Sequence, residues 1–148
     1  MREAGVLMPV SALPSRVGAG ELGESAFHFI ELLKKNHVRI WQILPLNPVG
    51  YGNSPYQPYS SCAGDDIYIS LDTLAEEGLL KKSPMLFLEK CKKVDYERVR
   101  QYREPYLRAA FMAFVEQKGY EKPEYKEFAA QSWVYEYGVF RALKKANN

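Results

Sequence analysis

Cysteine is scarce in this chain of 148 residues, which contains Cys62 and Cys91 and no others. Two cysteines at this separation provide neither a disulfide framework nor the ligand spacing of a zinc site. Long apolar runs are missing as well, so the sequence predicts neither a signal peptide nor a membrane-spanning helix. We therefore expect a soluble cytoplasmic protein, and no residue pattern predicts a metal or a cofactor.

An excess of charge of one sign is also missing, since 20 lysines and arginines stand against 18 aspartates and glutamates. A net charge of +2 lacks the basic surface that nucleic acid binding requires, and no block of like charge forms an interaction tail. Nucleic acid and membrane are thus not expected as partners. The length is that of one domain with room for a sizeable core, and it leaves the oligomeric state open.

Aromatic residues, in contrast, make up 14% of the chain and include 11 tyrosines. Residues 45–64 concentrate them, with four prolines, three glycines and the tyrosines Tyr51, Tyr56 and Tyr59. Proline fixes the backbone and glycine allows its close approach to a ligand, so we expect a loop with one defined shape. Two interpretations stay open at this point: a binding surface on a rigid scaffold, or an ordered loop whose tyrosines pack on a neighbour.

The N-terminal third alternates between strand and helix patterns. An apolar run at residues 5–10 predicts a strand, residues 11–23 a loop, and residues 40–46 a second buried strand. Between them, a helix is expected from Glu24 to a left-handed exit at Asn36, with an apolar face formed by Ala26, Phe29, Ile30 and Leu33. A strand-helix-strand unit of this length has parallel strands, so the loops 11–23 and 45–64 should leave the same sheet edge, where ligands gather.

The remaining chain is predicted to be mostly helical. Residues 65–71 suit a short strand or extended segment, followed by a helix at 73–77 with Asp72 as its N-cap and Gly78 as its stop. Residues 80–94 resemble an insertion of uncertain structure. A long helix is expected over residues 95–118, ending at Gly119 and kinked at Pro105. Its arginines are interpreted as a solvated face: Arg98, Arg100, Arg103 and Arg108.

A last helical region is predicted over residues 123–145, with a break near Ser132. Its aromatic and apolar residues recur about every four positions, which favours a core stripe over a cofactor site: Trp133, Tyr137, Phe140 and Leu143. The glycines of residues 18–23 match a dinucleotide fingerprint only in spacing, and we interpret that match as a false positive. His28 and His37 are interpreted as structural or solvated histidines.

The segment Tyr51-Gly-Asn-Ser-Pro-Tyr-Gln57, preceded by Trp-Gln-Ile-Leu-Pro-Leu-Asn-Pro at 41–48, resembles a signature of the 4-α-glucanotransferases (amylomaltases) of glycoside hydrolase family 77. The flanking residues 5–15, 68–72 and 136–143 are similar to the family as well, so the resemblance covers nearly the whole chain. The chain departs from the common pattern at Ala19, at Glu21 and at Asn53, where the family often has isoleucine, aspartate and aspartate.

The resemblance implies an α/β fold, namely the N-terminal part of a (β/α)₈ TIM barrel with a helical insertion. Residues 1–71 would form the first βα units with the substrate loop, and residues 72–148 the mostly helical insertion. It also implies transfer of α-1,4-glucan segments by retaining double displacement, which uses two carboxylates about 5 Å apart. Those acids follow later strands in the family, and a barrel needs about 250 residues, so no catalytic residue is assigned here, including Glu21, Asp65 and Asp66.

The resemblance implies a substrate-binding role for the tyrosine loop, with an α-1,4-glucan or maltooligosaccharide as the partner. Tyr51 and Tyr56 are expected to be sugar platforms, because an aromatic face suits the apolar face of a pyranose ring. Asn53, Ser54 and Gln57 are expected to bond its hydroxyls. Packing is the expectation for Tyr59 and Cys62. Two alternatives stay open: a non-catalytic glucan-binding module, and a structural fragment whose tyrosines only pack.

Overall fold

A computed structural model describes residues 3–81 and 93–147 of the chain. The two apolar runs of the N-terminal third form strands β1, Gly5–Leu7, and β2, Ile40–Gln42. They pair in parallel with Gly5 opposite Ile40, and the amide of Met8 extends the ladder by donating to the carbonyl of Gln42 at 2.9 Å. The predicted parallel βαβ unit is confirmed, although both strands are shorter than expected because Pro9 and Pro45 follow them closely.

Helix α1, Glu24–Lys35, connects the two strands. Its predicted apolar face is confirmed in part, since Ala26 and Leu33 are buried whereas Ile30 remains exposed. The left-handed exit residue is His37, with a φ of 58°, and not Asn36. Asn36 instead binds the helix end through its side chain, whose amide donates to the carbonyl of Leu32 at 2.8 Å.

The predicted strand at residues 65–71 is wrong. Residues Asp66–Tyr68 form a 3₁₀ turn, and helix α2, Leu71–Glu76, begins directly after it. The N-cap of α2 is Ser70, whose hydroxyl accepts from the amide of Thr73, and Asp72 lies inside the first turn. The alternative prediction, an extended segment, is confirmed in part: Asp65 before the 3₁₀ turn and Ile69 and Ser70 after it have extended backbone.

The C-terminal half contains three helices: α3, Tyr96–Glu116; α4, Pro123–Ala129; and α5, Ser132–Ala146. Asp95 caps α3 by accepting from the amide of Arg98 at 3.1 Å, and the helix continues without interruption through Pro105. Chain reversal after α3 uses Lys118 in the left-handed region and Gly119, which is buried against the ring of Phe114. The predicted break at Ser132 separates α4 from α5.

Two small clusters of buried side chains form the core of the described residues. One contains Val10, Leu13 and Ala26, with Trp41 and Leu46 packed against it, and it joins α1 to the strand ends. The other contains Ala19, Ile67 and Val99, and it joins the loop 11–23 to α3. Both clusters lie where the chain leaves the C-terminal ends of β1 and β2, so the loops at that edge are built on the best-packed part of the molecule.

Some sequence predictions placed residues in the core that the structure leaves exposed. The stripe on α5 is one, because no residue of that helix is buried and Leu143 is 59% exposed. The strands are another, with Leu7 60% exposed. The expected insertion at 80–94 falls largely on residues 82–92, which lie outside the described residues, as does Cys91. Among the helices that the structure describes, none is long and apolar enough to cross a membrane.

Candidate functional site: the tyrosine loop

Residues 45–64, which we call the tyrosine loop, leave the C-terminal end of β2 and return to nearly the same point. At the neck of the loop, the amide of Asp65 donates to the carbonyl of Leu46 at 2.8 Å. Beside it, the side-chain amide of Asn47 donates to the carbonyl of Ala63 at 3.0 Å. Both ends of the loop are therefore fixed to each other and to the core cluster that contains Leu46.

Inside the loop, backbone pairing builds a short arm. Val49 and Pro58 form an antiparallel bridge, and the amide of Tyr59 donates to the carbonyl of Pro48 at 2.9 Å. The end of the arm, residues 50–57, contains two successive turns. The backbone amide of Asn53 donates to the carbonyl of Gly50 in the first turn, and that of Gln57 donates to the carbonyl of Ser54 in the second, each at 3.1 Å. We call these residues the tip of the loop.

The first turn of the tip requires left-handed backbone at two consecutive positions. Gly52 has a φ of 87° and Asn53 a φ of 52°. Glycine adopts this region without steric cost, and asparagine tolerates it better than most residues do. The Gly-Asn pair thus explains how the chain reverses directly after Tyr51 and turns that side chain outward.

The tyrosines divide into two exposed rings and one that packs. Tyr51 is fully exposed and Tyr56 is 72% exposed, so neither ring shows the packing on a neighbour that the alternative interpretation expected. Tyr59 packs against α5, where its ring centroid lies 5.8 Å from that of Phe140. The packing expected for Tyr59 is confirmed in part, since the residue contacts α5 but remains 38% exposed, whereas Cys62 is exposed.

The polar residues of the tip flank the two exposed rings. Asn53 and Gln57 are exposed and Ser54 is half-buried. The structure therefore brings together all five residues that the sequence assigned to substrate binding, on one projecting surface. A cleft of about 730 Å³ lies elsewhere, between α1 and α2, and is lined by Arg16, His28 and Asp72 among others. The tip is thus an open platform and not the wall of that cleft.

The acidic residues at this edge of the sheet are bound to arginines of α3. Asp65 has a side chain that is almost fully buried, and both of its oxygens accept from Arg100, at 2.6 and 2.8 Å. Burial alone would raise the pKa of the Asp65 carboxyl, but the hydrogen bond and charge of Arg100 and the amide of Ile67 outweigh it and lower this pKa. Asp65 is thus an ionised anchor at the neck of the loop.

The pKa of the neighbouring Asp66 is shifted in the opposite direction. Burial and the neighbouring charge of Asp65 raise the pKa of the Asp66 carboxyl, and the more distant Arg100, at 3.4 Å, only partly offsets them. The two adjacent carboxylates therefore titrate apart, with the proton favouring Asp66.

Glu21, in the loop after β1, is held by a second arginine of the same helix. Its carboxylate accepts from Arg103 at 2.8 Å and from the hydroxyl of Ser70 at 3.1 Å, and Arg103 also donates to the carbonyl of Ile69. Arg103 is 1% exposed, which makes it one of the most deeply buried side chains among the described residues. The predicted solvated face of arginines is wrong for Arg100 and Arg103, which tie both loops to α3.

A signal in the sequence could have identified Arg103. It lies four residues after Val99 and seven before Ala110, and these three are the buried residues of α3. Positions at this spacing share one face of a helix, so an arginine there belongs to the buried face and needs an acidic partner. The partner itself, 82 residues away in sequence, could not be identified from the pattern.

Comparison with known proteins gives a consistent result. Residues 8–148 match the family model for 4-alpha-glucanotransferase, glycoside hydrolase family 77. A 4-alpha-glucanotransferase of Synechocystis sp. is 40% identical over 161 residues, covering 99% of this chain and 30% of the relative. That of Thermus thermophilus is 38% identical over 150 residues, covering 99% of this chain and 29% of the relative.

A solved structure, the amylomaltase of Streptococcus agalactiae in complex with acarbose, superposes with a TM-score of 0.86 at 30% identity. It is matched over 99% of this chain and 30% of its own length. The chain thus spans about 30% of the length of these relatives. The family model matches residues 8–148, which include β2, the tyrosine loop and all the helices described above. The chain therefore belongs to the 4-alpha-glucanotransferase family.

Proposed function

We propose that this chain is the N-terminal part of a cytoplasmic 4-alpha-glucanotransferase built on a (β/α)₈ barrel. Residues 1–71 supply the first βα units and the substrate loop, and residues 72–148 supply a mostly helical insertion. The parallel pairing of β1 and β2 supports this proposal, as does the match to 30% of an amylomaltase structure. In a barrel every strand has two neighbours, whereas each strand here has one described partner.

The exposed apolar residues around the strands point in the same direction. Leu7 and Ile40 on the strands, and Phe27, Ile30 and Leu32 on α1, are all exposed. Apolar surface of this extent on a βαβ unit is normally covered by further strands and helices. The isolated chain should therefore self-associate through this surface. A monomeric, soluble chain with cooperative unfolding would contradict the proposal of a partial barrel.

The tip of the tyrosine loop binds the α-1,4-glucan in this proposal. Tyr51 and Tyr56 act as platforms for pyranose rings, while Asn53, Ser54 and Gln57 bond the hydroxyls. The observation that carries the assignment is the exposure of Tyr51 and Tyr56 on a loop that is fixed at its neck. The amylomaltase neighbour was solved with acarbose, which supports a saccharide as the ligand class.

The reaction proposed for the complete enzyme is transfer of a glucan segment by retaining double displacement. Such a reaction needs a nucleophilic carboxylate and an acid/base carboxylate about 5 Å apart across the scissile bond. Two of the acids beside the loop are bound to arginines, Asp65 to Arg100 and Glu21 to Arg103, and the third, Asp66, directly adjoins Asp65 in the chain. In this proposal the chain contributes substrate binding, and the rest of the enzyme contributes the catalytic carboxylates.

Incubation with maltotriose tests the division between binding and chemistry. The 148-residue chain should release no glucose and form no longer maltooligosaccharides, as followed by chromatography of the products. A full-length family member serves as the positive control. Turnover by the chain alone that is abolished by substitution of any one of its acids would contradict our assignment.

Titration with maltoheptaose tests the binding role. We expect Tyr56→Ala to weaken binding about tenfold, which corresponds to ~1.4 kcal/mol, because a stacked aromatic residue dominates such a contact. Tyr135→Ala is the matched control, since Tyr135 is similarly exposed but lies on α5. Equal binding by both variants and the unmodified chain would exclude the tip as the platform. If the rest of the barrel is added and the assembled protein binds maltoheptaose but transfers no glucan, a non-catalytic glucan-binding module is favoured.

A further inference from the structure

Tyr59 lies between the tip of the tyrosine loop and helix α5. On the loop side, the backbone of Gly50 packs against its ring so closely that a Cβ on Gly50 would be 2.9 Å from Cζ and from Oη of Tyr59. Gly50 has no positive φ, so only this contact restricts the residue at that position. Gly50 directly precedes Tyr51, and its carbonyl closes the first turn of the tip.

On the helix side, the ring of Tyr59 meets two residues of α5. Lys144 places its ammonium 4.8 Å from the ring centroid, within the range of a cation–π contact. Phe140 lies next to it with a ring separation of 5.8 Å, and Phe140 in turn stacks on Tyr137 at 6.2 Å. The ring of Tyr59 thus links an otherwise exposed helix to the turn that orients Tyr51.

We propose that Tyr59 is a positioning residue, through which α5 holds the tip of the tyrosine loop in its sugar-binding shape. This inference rests on the proposed function, because it assigns a support to the same platform. It gives the helical region a role in substrate binding that the sequence did not predict. Tyr59 itself does not contact the glucan in this proposal; its effect is transmitted by Gly50 to the turn that begins at Tyr51.

Gly50→Ala and Tyr59→Ala perturb the same contact from opposite sides. The first inserts a methyl group that displaces the ring, and the second removes the ring. Both should accelerate amide hydrogen exchange in residues 50–57 about tenfold and weaken maltoheptaose binding to a similar degree. In the Tyr59→Ala background, Gly50→Ala should have no further effect, since residues that act through one contact are not additive.

Three controls separate positioning from general destabilisation. Tyr59→Phe keeps the ring and should retain both slow exchange and sugar affinity. Gly64→Ala adds a methyl group to the same loop where nothing lies within 4 Å, and it should change neither measurement. Exchange in α1, Glu24–Lys35, reports whether a variant has lost its fold. If Tyr59→Ala also accelerates exchange in α1, the comparison of Gly50→Ala with Gly64→Ala decides the test.

The role of α5 is tested by a pair of neighbouring lysines. Lys144→Met removes the cation above Tyr59 and should loosen the tip, whereas Lys145→Met breaks an ion pair with Glu104 and should leave the tip unchanged. Equal exchange in the tip for these two variants would overturn the part assigned to α5.

Two results would overturn the proposal as a whole. One is unchanged exchange in the tip of both Gly50→Ala and Tyr59→Ala. The other is an effect of Gly50→Ala that is equally large with and without the Tyr59 ring. If the unmodified chain binds no maltoheptaose, the proposed function fails, and the exchange measurements still decide whether Tyr59 positions the loop.

Discussion

Arg103→Met should be among the most destabilising single substitutions in the described part of the chain. The guanidinium of Arg103 is 1% exposed, and it binds the Glu21 carboxylate at 2.8 Å and the Ile69 carbonyl. Methionine fills much of the same volume but supplies no donor. The carboxylate of Glu21, whose side chain is 12% exposed, would then retain only the hydroxyl of Ser70 as a described partner.

The size of the effect follows from burial. Removing one partner of a buried ion pair costs about 3–5 kcal/mol, because the other charge stays in a site that water does not reach. The Arg16–Asp72 pair gives the comparison, with a similar distance of 2.7 Å but side chains that are 69% and 43% exposed. Exposed pairs contribute about 0–1 kcal/mol, so Arg16→Met should have a small effect.

Urea unfolding followed by circular dichroism measures the difference. With a slope of about 2 kcal/mol per molar urea, Arg103→Met should lower the midpoint by about 2 M and Arg16→Met by less than about 0.5 M. Combining Arg103→Met with Glu21→Gln should recover part of the loss, since no carboxylate then remains unpaired. Equal midpoints for Arg103→Met and Arg16→Met would refute the claim that Arg103 joins the loop 11–23 and the segment before α2 to α3.

Two further predictions concern close packing and pH. Gly20→Ala should lower the melting temperature by several degrees, because its Cβ would lie 2.0 Å from the carbonyl oxygen of Val10. Gly64→Ala should leave the melting temperature unchanged, and equal effects of the two variants would contradict the close packing at Gly20. Since the pKa of Asp65 is lowered in the folded chain, its stabilising effect is present above about pH 4 and is lost as the pH falls through the lowered pKa. Asp65→Asn should therefore lower the free energy of unfolding at pH 6 and lower it less near pH 3. Urea unfolding measures this in an Asp66→Asn background, because the raised pKa of Asp66 has the opposite effect on stability. A loss of stability that is constant with pH would contradict this assignment.

Local patterns in the sequence predicted much of the architecture. The 3.6-residue period placed α1 with Ala26 and Leu33 inward, and proline and serine signals placed the start of α4 and the break before α5. The parallel pairing followed from the length of the crossover, which is a rule of chain geometry. These features depend on residues close in sequence, and for that reason they could be predicted.

Features that depend on distant residues could not be predicted. Periodicity identifies the faces of a helix, but not which face another part of the chain covers. On α5, an apolar stripe predicted to be core is exposed, whereas on α3 an arginine predicted to be solvated is buried against Glu21. Ser70 rather than Asp72 caps α2; Ser70 also binds Glu21, and Asp72 is bound to Arg16.

The tyrosine loop shows both situations. Proline and glycine predicted a rigid loop, and the family resemblance assigned Tyr51 and Tyr56 to the substrate. The structure adds that these two rings point away from the packed part of the loop while Tyr59 lies against α5. Composition could not separate the three tyrosines, since their exposure depends on a left-handed turn at Asn53 and on a helix 80 residues further along the chain.

The central claim, that the tip of the tyrosine loop holds the glucan, is tested most directly by tyrosine ring resonances in NMR spectra. The chain is labelled on its tyrosines, resonances are assigned by Tyr→Phe variants, and maltoheptaose is added to saturation. We expect the ring resonances of Tyr51 and Tyr56 to shift with one common affinity, while that of the equally exposed Tyr135 stays in place. Shifts at Tyr135 with none at Tyr51 and Tyr56 would contradict the claim.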